Sequence, residues 1–164
     1  MKIKAYLFLL AVILFFITAG TEKAGLREGY RRGDRAPEIK SIGTGSDISF
    51  ANNSSRYTLL QFWAAYDGNS RKQNVLLWNH LKKKNLPQIK MISVSMDKSE
   101  SVFTETIKTD GLDSTNQMQY RQEKEAAVYR KFGLKKGLGN FLIDGSGVIV
   151  ATNVTPEILD SIVN

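Results

Sequence analysis

Asp67-Gly68-Asn69-Ser70 follows an apolar run that ends in Phe62-Trp63-Ala64-Ala65-Tyr66, and it opens a segment free of proline as far as Pro87. A strand that ends in aromatics and turns through a glycine into a helix exposes the helix's unpaired amide N–H groups to whichever side chain stands at the turn. The side chains there are a carboxylate, Asp67, and a hydroxyl, Ser70, with no base close by in the sequence. Aspartate is a favoured N-cap, and Ser70, one turn further in, reads as solvent-facing or hydrogen-bonded locally. The chain contains no cysteine, which excludes disulfides, thiol catalysis and thiolate metal sites. Its single histidine, His80, lies between Asn79 and Leu81 in a helical stretch and reads as a surface or satisfied residue rather than a ligand. Gly133-Leu-Lys-Lys-Gly-Leu-Gly139 has the glycines and lysines of an anion loop but not the spacing of a phosphate-binding motif. No catalytic residue, cofactor or metal follows from these positions.

The elements that would position this turn are legible on both sides of it. Tyr57 to Phe62 is an apolar strand. From Ser70 to Leu86, Leu77, Trp78 and Leu81 keep helical spacing, with Lys82-Lys83-Lys84 in the last turns, where cations suit the helix dipole. Ile89 to Met96 predicts a second core strand, and Ser99-Glu100 with Val102, Phe103 and Ile107 a helix that ends before Gly111. Gln122 to Phe132 predicts another helix with Gly133 at its C-cap. Asn140 to Ile143 and Val148 to Thr152 form a hairpin around Asp144-Gly145-Ser146-Gly147, and Thr155-Pro156-Glu157 opens a last helix. Two short strands, Ile39 to Ile42 and Ile48 to Phe50, flank a turn at Gly43 to Asp47. Crossover helices followed by a hairpin imply an α/β domain with a mixed central sheet covered on both faces, whose functional site lies at the carboxyl ends of the strands.

With 164 residues and 42% apolar content, the chain suits a single domain with a proper core. A net charge of +7 is spread among acids rather than massed, so the basic balance describes a solvated surface and no nucleic-acid site. Residues 1–20 combine Lys2 and Lys4 with the uncharged stretch 5–20 and small residues at Thr18-Ala19-Gly20, the pattern of an export signal or an N-terminal membrane anchor. Ile17-Thr18-Ala19-Gly20-Thr21 resembles a bacterial lipoprotein signal with threonine in place of the lipid-accepting cysteine; it equally fits ordinary signal composition. Residues 21–32 read as a polar linker and 33–164 as the domain.

Four segments carry a family likeness in order: Gly33-Asp-Arg-Ala-Pro37, Phe62-Trp-Ala-Ala-Tyr66, Phe132-Gly-Leu134 and Phe141-Leu-Ile-Asp-Gly-Ser-Gly147. The chain resembles an exported thioredoxin-fold protein of the TlpA/ResA type, within the redoxin (AhpC/TSA) group. The resemblance implies a thioredoxin-like fold and a Cys-x-x-Cys after the aromatic run, at the positions of Asp67 and Ser70, around Gly68 and Asn69. A thiolate at a helix N-terminus and a second, resolving thiol make dithiol–disulfide exchange, and a carboxylate and a hydroxyl do neither. Val75 replaces the family's helix proline, and Leu138, within Lys135 to Asn140, replaces the cis-proline opposite the cysteines. A trans bond is expected there, because cis costs about 2.5–4 kcal/mol outside proline. A peroxidase would need a peroxidatic cysteine, and a copper-chaperone relative would need paired cysteines plus a histidine.

The resulting expectation is a non-catalytic protein-binding module of the cell envelope, with Trp63, Tyr66 and Leu138 lining a groove for an envelope protein or peptide segment. It would touch the membrane only through its N-terminal segment. One alternative is a thiol-disulfide oxidoreductase or peroxiredoxin-related role in redox homeostasis, with a partner supplying the cysteines. A copy without selected activity is a third.

Overall fold

The structure, a computed structural model, describes residues 25–40, 47–51, 55–120 and 125–163. The expected signal at 1–20, residues 21–24 of the linker, residues 43–46 of the first turn and the helix start at Gln122 lie outside the described residues. The elements run β1 (Tyr57–Trp63), α1 (Gly68–Lys84), β2 (Ile89–Ser95), α2 (Glu100–Thr109), β3 (Gln117–Gln119), α3 (Glu125–Lys131), β4 (Asn140–Asp144), β5 (Ile149–Thr152) and α4 (Pro156–Val163). The sheet order is β3-β2-β1-β4-β5. β1, β2 and β3 are mutually parallel, while β4 runs antiparallel to both β1 and β5. This is the mixed α/β sheet expected.

Side chains alternate across a strand, and the alternation of β1 sorts the core. Leu60, Phe62 and Ala64 pack with Val94 of β2 and Met96 just past it, Phe141 and Ile143 of β4, and Val128 and Phe132 at α3. Ala36, Ile39 and Phe50 of the N-terminal segment close the same cluster. On the opposite face, Leu59 meets Leu77 and Leu81 of α1, Leu142 of β4 and Leu159 of α4. Trp63 extends that face toward Ile107 of α2. Thus α1, α2 and α4 cover one side of the sheet, and α3 with the N-terminal segment covers the other. Each large apolar side chain so buried contributes about 1.5–3 kcal/mol.

Local signals explain most element ends. α1 stops at Asn85, whose left-handed backbone (φ 50°) precedes Pro87. Ser99 caps α2 by accepting from the Val102 amide, and Thr155 caps α4 by accepting from Ile158. Gly133, at φ 67°, follows α3 as its expected left-handed cap. Two expectations change. β3 and the 3-10 turn before it, Ser114–Asn116, have no sequence counterpart, because Gln-Met-Gln carries no apolar alternation and pairs only through contact with β2. The proposed strands around Ile39 and Ile48 amount, among the described residues, to a single antiparallel bridge.

The β4–β5 turn rests on one carboxylate. Asp144 Oδ1 accepts from the Ser146 hydroxyl (2.6 Å), the Ser146 amide (2.9 Å) and the Val148 amide (3.0 Å). Gly147 takes φ 85°, a left-handed conformation that favours glycine, and a Cβ there would sit tightly against the Ala51 amide nitrogen at 3.3 Å. Burial raises the Asp144 pKa, but these donors outweigh it and hold the carboxyl below its ordinary value. A carboxyl whose folded pKa is depressed stabilises the fold above the unfolded value and loses that contribution as pH falls through the folded value. Asp144→Asn is therefore expected to cost about 1 kcal/mol at neutral pH. In urea titrations at several pH values, the gap from the parent should shrink once pH drops below about 4; a gap that stays constant with pH would contradict the assignment.

Candidate functional site

The carboxyl ends of β1 and β2 and the start of α1 converge on the Asp67–Ser70 turn. Asp67 is extended (φ −102°, ψ 94°) and caps α1, its Oδ1 accepting from the Ser70 amide at 3.1 Å. The Ser70 hydroxyl donates back to the Asp67 carbonyl (3.1 Å) and accepts from the Ala64 amide (3.4 Å). Ser70 is only 1% exposed, so of its two expected states the local hydrogen bond holds and the solvent-facing one does not. Gly68 and Asn69 face solvent between them. One residue on, Arg71 grips Asp110 with two hydrogen bonds, Nε to Oδ2 at 2.7 Å and Nη2 to Oδ1 at 2.6 Å. This bond, joined by the Coulombic attraction and opposed by burial, raises the Arg71 pKa above its ordinary value. The pair ties the first turn of α1 to the end of α2 and fixes the direction in which the helix leaves the turn.

A buried carboxylate holds the other end of the turn. Asp97, 3% exposed just past β2, accepts the Ala65 amide on both oxygens at 3.0 Å and the Ser95 hydroxyl on Oδ2 at 2.8 Å. Its own amide donates to the Ser95 hydroxyl (3.0 Å), and Gln119 of β3 donates to its carbonyl (2.8 Å). Asp97 escaped sequence analysis; the signal for it was an aspartate directly after an apolar strand, at the edge where such sheets carry their sites. Deeper under α1 lies a polar belt. The Ser93 hydroxyl donates to Asn74 (2.7 Å), Asn74 donates to Gln117 (3.3 Å), and Asn140 donates to Gln61 (3.1 Å) and to the Val154 carbonyl (3.1 Å). These residues are buried and neutral, so they specify register and hold no charge for catalysis.

The expected groove residues do not converge. Trp63 is fully buried and packs with Ile107, Leu112 and Phe103, because its odd position on β1 turns it toward α1 and α2. Leu138 packs against the cluster of Phe62 and Ala64 on the opposite side of the sheet. Trp63 is therefore a core residue and lines no accessible groove. Tyr66 is 73% exposed, and its hydroxyl stands 3.5 Å from that of Tyr129, a residue of α3 that packs, like Leu138, against the Phe62 cluster. Of the expected groove, Tyr66 alone is exposed at the turn, paired with Tyr129, while Leu138 is partly buried against the same cluster as Tyr129. All described peptide bonds are trans, the Leu138 bonds included.

His80 is satisfied: its Nε2 lies 2.8 Å from Asp160 Oδ1, linking α1 to α4, with Lys84 Nζ 3.5 Å from Oδ2. The His80 hydrogen bond is the main cause of the lowered Asp160 pKa. Among the described residues no group of three or more carboxylate or imidazole side chains is gathered to hold a metal ion.

No protein-family model matches the chain, and no curated protein matches it. Solved structures do. The chain is similar to a thioredoxin-like protein from Parabacteroides distasonis, with 49% identity over 84% of this chain and 98% of that one and a TM-score of 0.73. It is also similar to a thiol:disulfide interchange protein from a Bacteroides species, with 26% identity, coverage of 84% and 88%, and a TM-score of 0.61. The thioredoxin domain of a thiol-disulfide oxidoreductase from Bacteroides vulgatus shares the fold, with 23% identity, coverage of 83% and 100%, and a TM-score of 0.68. The chain belongs to the thioredoxin-like proteins, and its fold is that of their thiol-disulfide oxidoreductases. The likeness read from the sequence holds, and the absence of cysteine agrees with a lost Cys-x-x-Cys.

Because Trp63 is core and Asp67 is a cap, their truncations should differ in size. Trp63→Ala is expected to cost about 3–5 kcal/mol and Asp67→Ala about 0.5–2 kcal/mol, both read from denaturant midpoints. Equal costs would overturn the placement of Trp63.

Proposed function

We propose that this chain is a non-catalytic member of its family, exported to the cell envelope, that works by binding a protein segment at the face beside the former active-site turn. The observation that carries the reading is that Asp67 and Ser70 satisfy each other and the α1 N-terminus, in a chain with no thiol to replace them. Disulfide exchange proceeds through thiolate attack on sulfur, and neither side chain has a redox couple. Tyr66, exposed beside Tyr129 and near the apolar cluster that Leu138 covers, supplies an aromatic surface of the kind enriched in protein contacts. Export is supported by the charged start and apolar run of residues 1–20.

A second reading is favoured by the neighbours themselves, two of which are described as a thiol:disulfide interchange protein and a thiol-disulfide oxidoreductase. In that reading the fold serves redox chemistry with both cysteines supplied by a partner. The purified chain should show no reduction of insulin disulfides above background; turnover by the chain alone would sink the non-catalytic reading. A photo-crosslinking residue at Tyr66 should capture a defined envelope partner that the same residue at exposed Leu76 does not. Equal capture at both positions would remove the binding face. Capture at Tyr66 of a partner that shows disulfide exchange only with this chain present would move the conclusion to the second reading.

A further inference from the structure

Away from the turn, a cavity of about 350 Å³ opens between the N-terminal segment, the loop from Phe132 to Gly139 and the end of β5. Arg31, Arg32 and Lys136 line it together with Tyr30, Thr152 and Asn153, and no aspartate or glutamate does. None of the three cations forms an ion pair among the described residues. Some cations elsewhere are matched, Arg71 with Asp110, Lys131 with Glu28, and Lys40 with Glu38 and Asp47; what sets the cavity apart is that three cations and no acid line one concavity. The larger cavity, under the end of α1, contains Lys82 and Lys90 but also Asp113, so it lacks this one-signed character.

The walls are built rather than incidental. Asp34 accepts the Arg31 amide (2.9 Å) and donates its own amide to the Arg31 carbonyl (3.0 Å), which closes the turn that carries both arginines. That turn is pinned to β5 by Gly33 donating to the Ile149 carbonyl (2.8 Å) and Ile149 donating to the Asp34 carbonyl (2.9 Å). The Tyr30 ring lies so close to Gly133 that a Cβ there would stand 2.8 Å from it. The side chains of Arg31, Arg32 and Lys136 are exposed on these walls; like charges lining one concavity repel each other, and a multiply charged anion relieves the repulsion. Guanidinium forks match phosphate oxygens in paired hydrogen bonds, and the volume lies at the small end of ligand sites.

From these observations we propose that the cavity binds a phosphate monoester, with Arg31, Arg32 and Lys136 as its charged contacts. The ligand's source is either a free phosphorylated small molecule or a lipid headgroup. The site is independent of the reading given to Asp67 and Ser70.

Calorimetric titration of the full chain at low salt with inorganic phosphate and with glycerol 3-phosphate tests the first source. Flotation with phosphatidic acid vesicles, compared with phosphatidylcholine vesicles, tests the second, since any insertion of the N-terminal segment is common to both lipids. The expected result is saturable binding in at least one arm, weakened about tenfold or more by Arg31→Gln with Arg32→Gln. Lys136→Gln should weaken it as well, and Lys82→Gln should leave it unchanged. Circular dichroism and thermal melts on each variant verify that the fold is retained. Binding of the free phosphates identifies a soluble ligand, whereas preference for phosphatidic acid alone identifies a headgroup. No binding in either arm, or binding of equal strength in the arginine variants and Lys82→Gln, would overturn the proposal.

Discussion

Between Leu59 and Ala64 the chain has no side that faces water. Leu59, Leu60, Gln61, Phe62, Trp63 and Ala64 are all 0% exposed, so β1 is covered on both faces along this stretch. Much of the remaining arrangement depends on that constraint. A strand buried on both faces must alternate its side chains into two separate apolar layers, and here the even positions call for α3 and the N-terminal segment while the odd positions call for α1, α2 and α4. With β2 parallel on one side and β4 antiparallel on the other, the turn after Trp63 emerges at a fixed edge of the sheet. The position of the site is thus a consequence of core packing.

At that edge three carboxylates hold the chain. Asp97 takes the Ala65 amide, Asp67 takes the Ser70 amide, and Arg71 on Asp110 sets the direction of α1. Each contact satisfies a group that would otherwise be an unpaired donor at a helix start or a buried loop. The helix N-terminus, where the resemblance implies a thiolate, here carries a capping carboxylate. The scaffold survives because its stability comes from the apolar layers and from these hydrogen bonds, and none of those contributions requires a thiol.

The polar residues beneath α1 show the same economy. Ser93, Asn74 and Gln117 form one chain of hydrogen bonds, and Gln61, Asn140 and the Val154 backbone form another. All are buried, and a misregistered strand would leave them unsatisfied at a cost of about 1–3 kcal/mol each. They discriminate the native pairing from its neighbours in register, which apolar contacts alone do less sharply. Even here two atoms, the Trp63 indole nitrogen and the Gln117 amide nitrogen, lack a partner among the described residues.

The residue string alone gave the order of the longer elements, because strands and helices of this length announce themselves by period: Tyr57 to Phe62, Ile89 to Met96 and the Asp144–Gly147 hairpin appear where expected. It also settled the absence of thiol chemistry, which depends only on composition. β3 stayed hidden because three residues, Gln-Met-Gln, have no period of their own and become a strand only beside β2. The tertiary structure alone decided which side of the sheet each residue of the turn would serve. Trp63 and Leu138, both apolar and both near the turn, went to opposite faces, and parity on β1 determined that outcome only once the sheet had formed. Asp97 and Ala65, 32 residues apart, met for the same reason. FWAAYDGNSRK therefore showed what its chemistry lacks, while the partners of its side chains were chosen by contacts between segments that no local pattern connects.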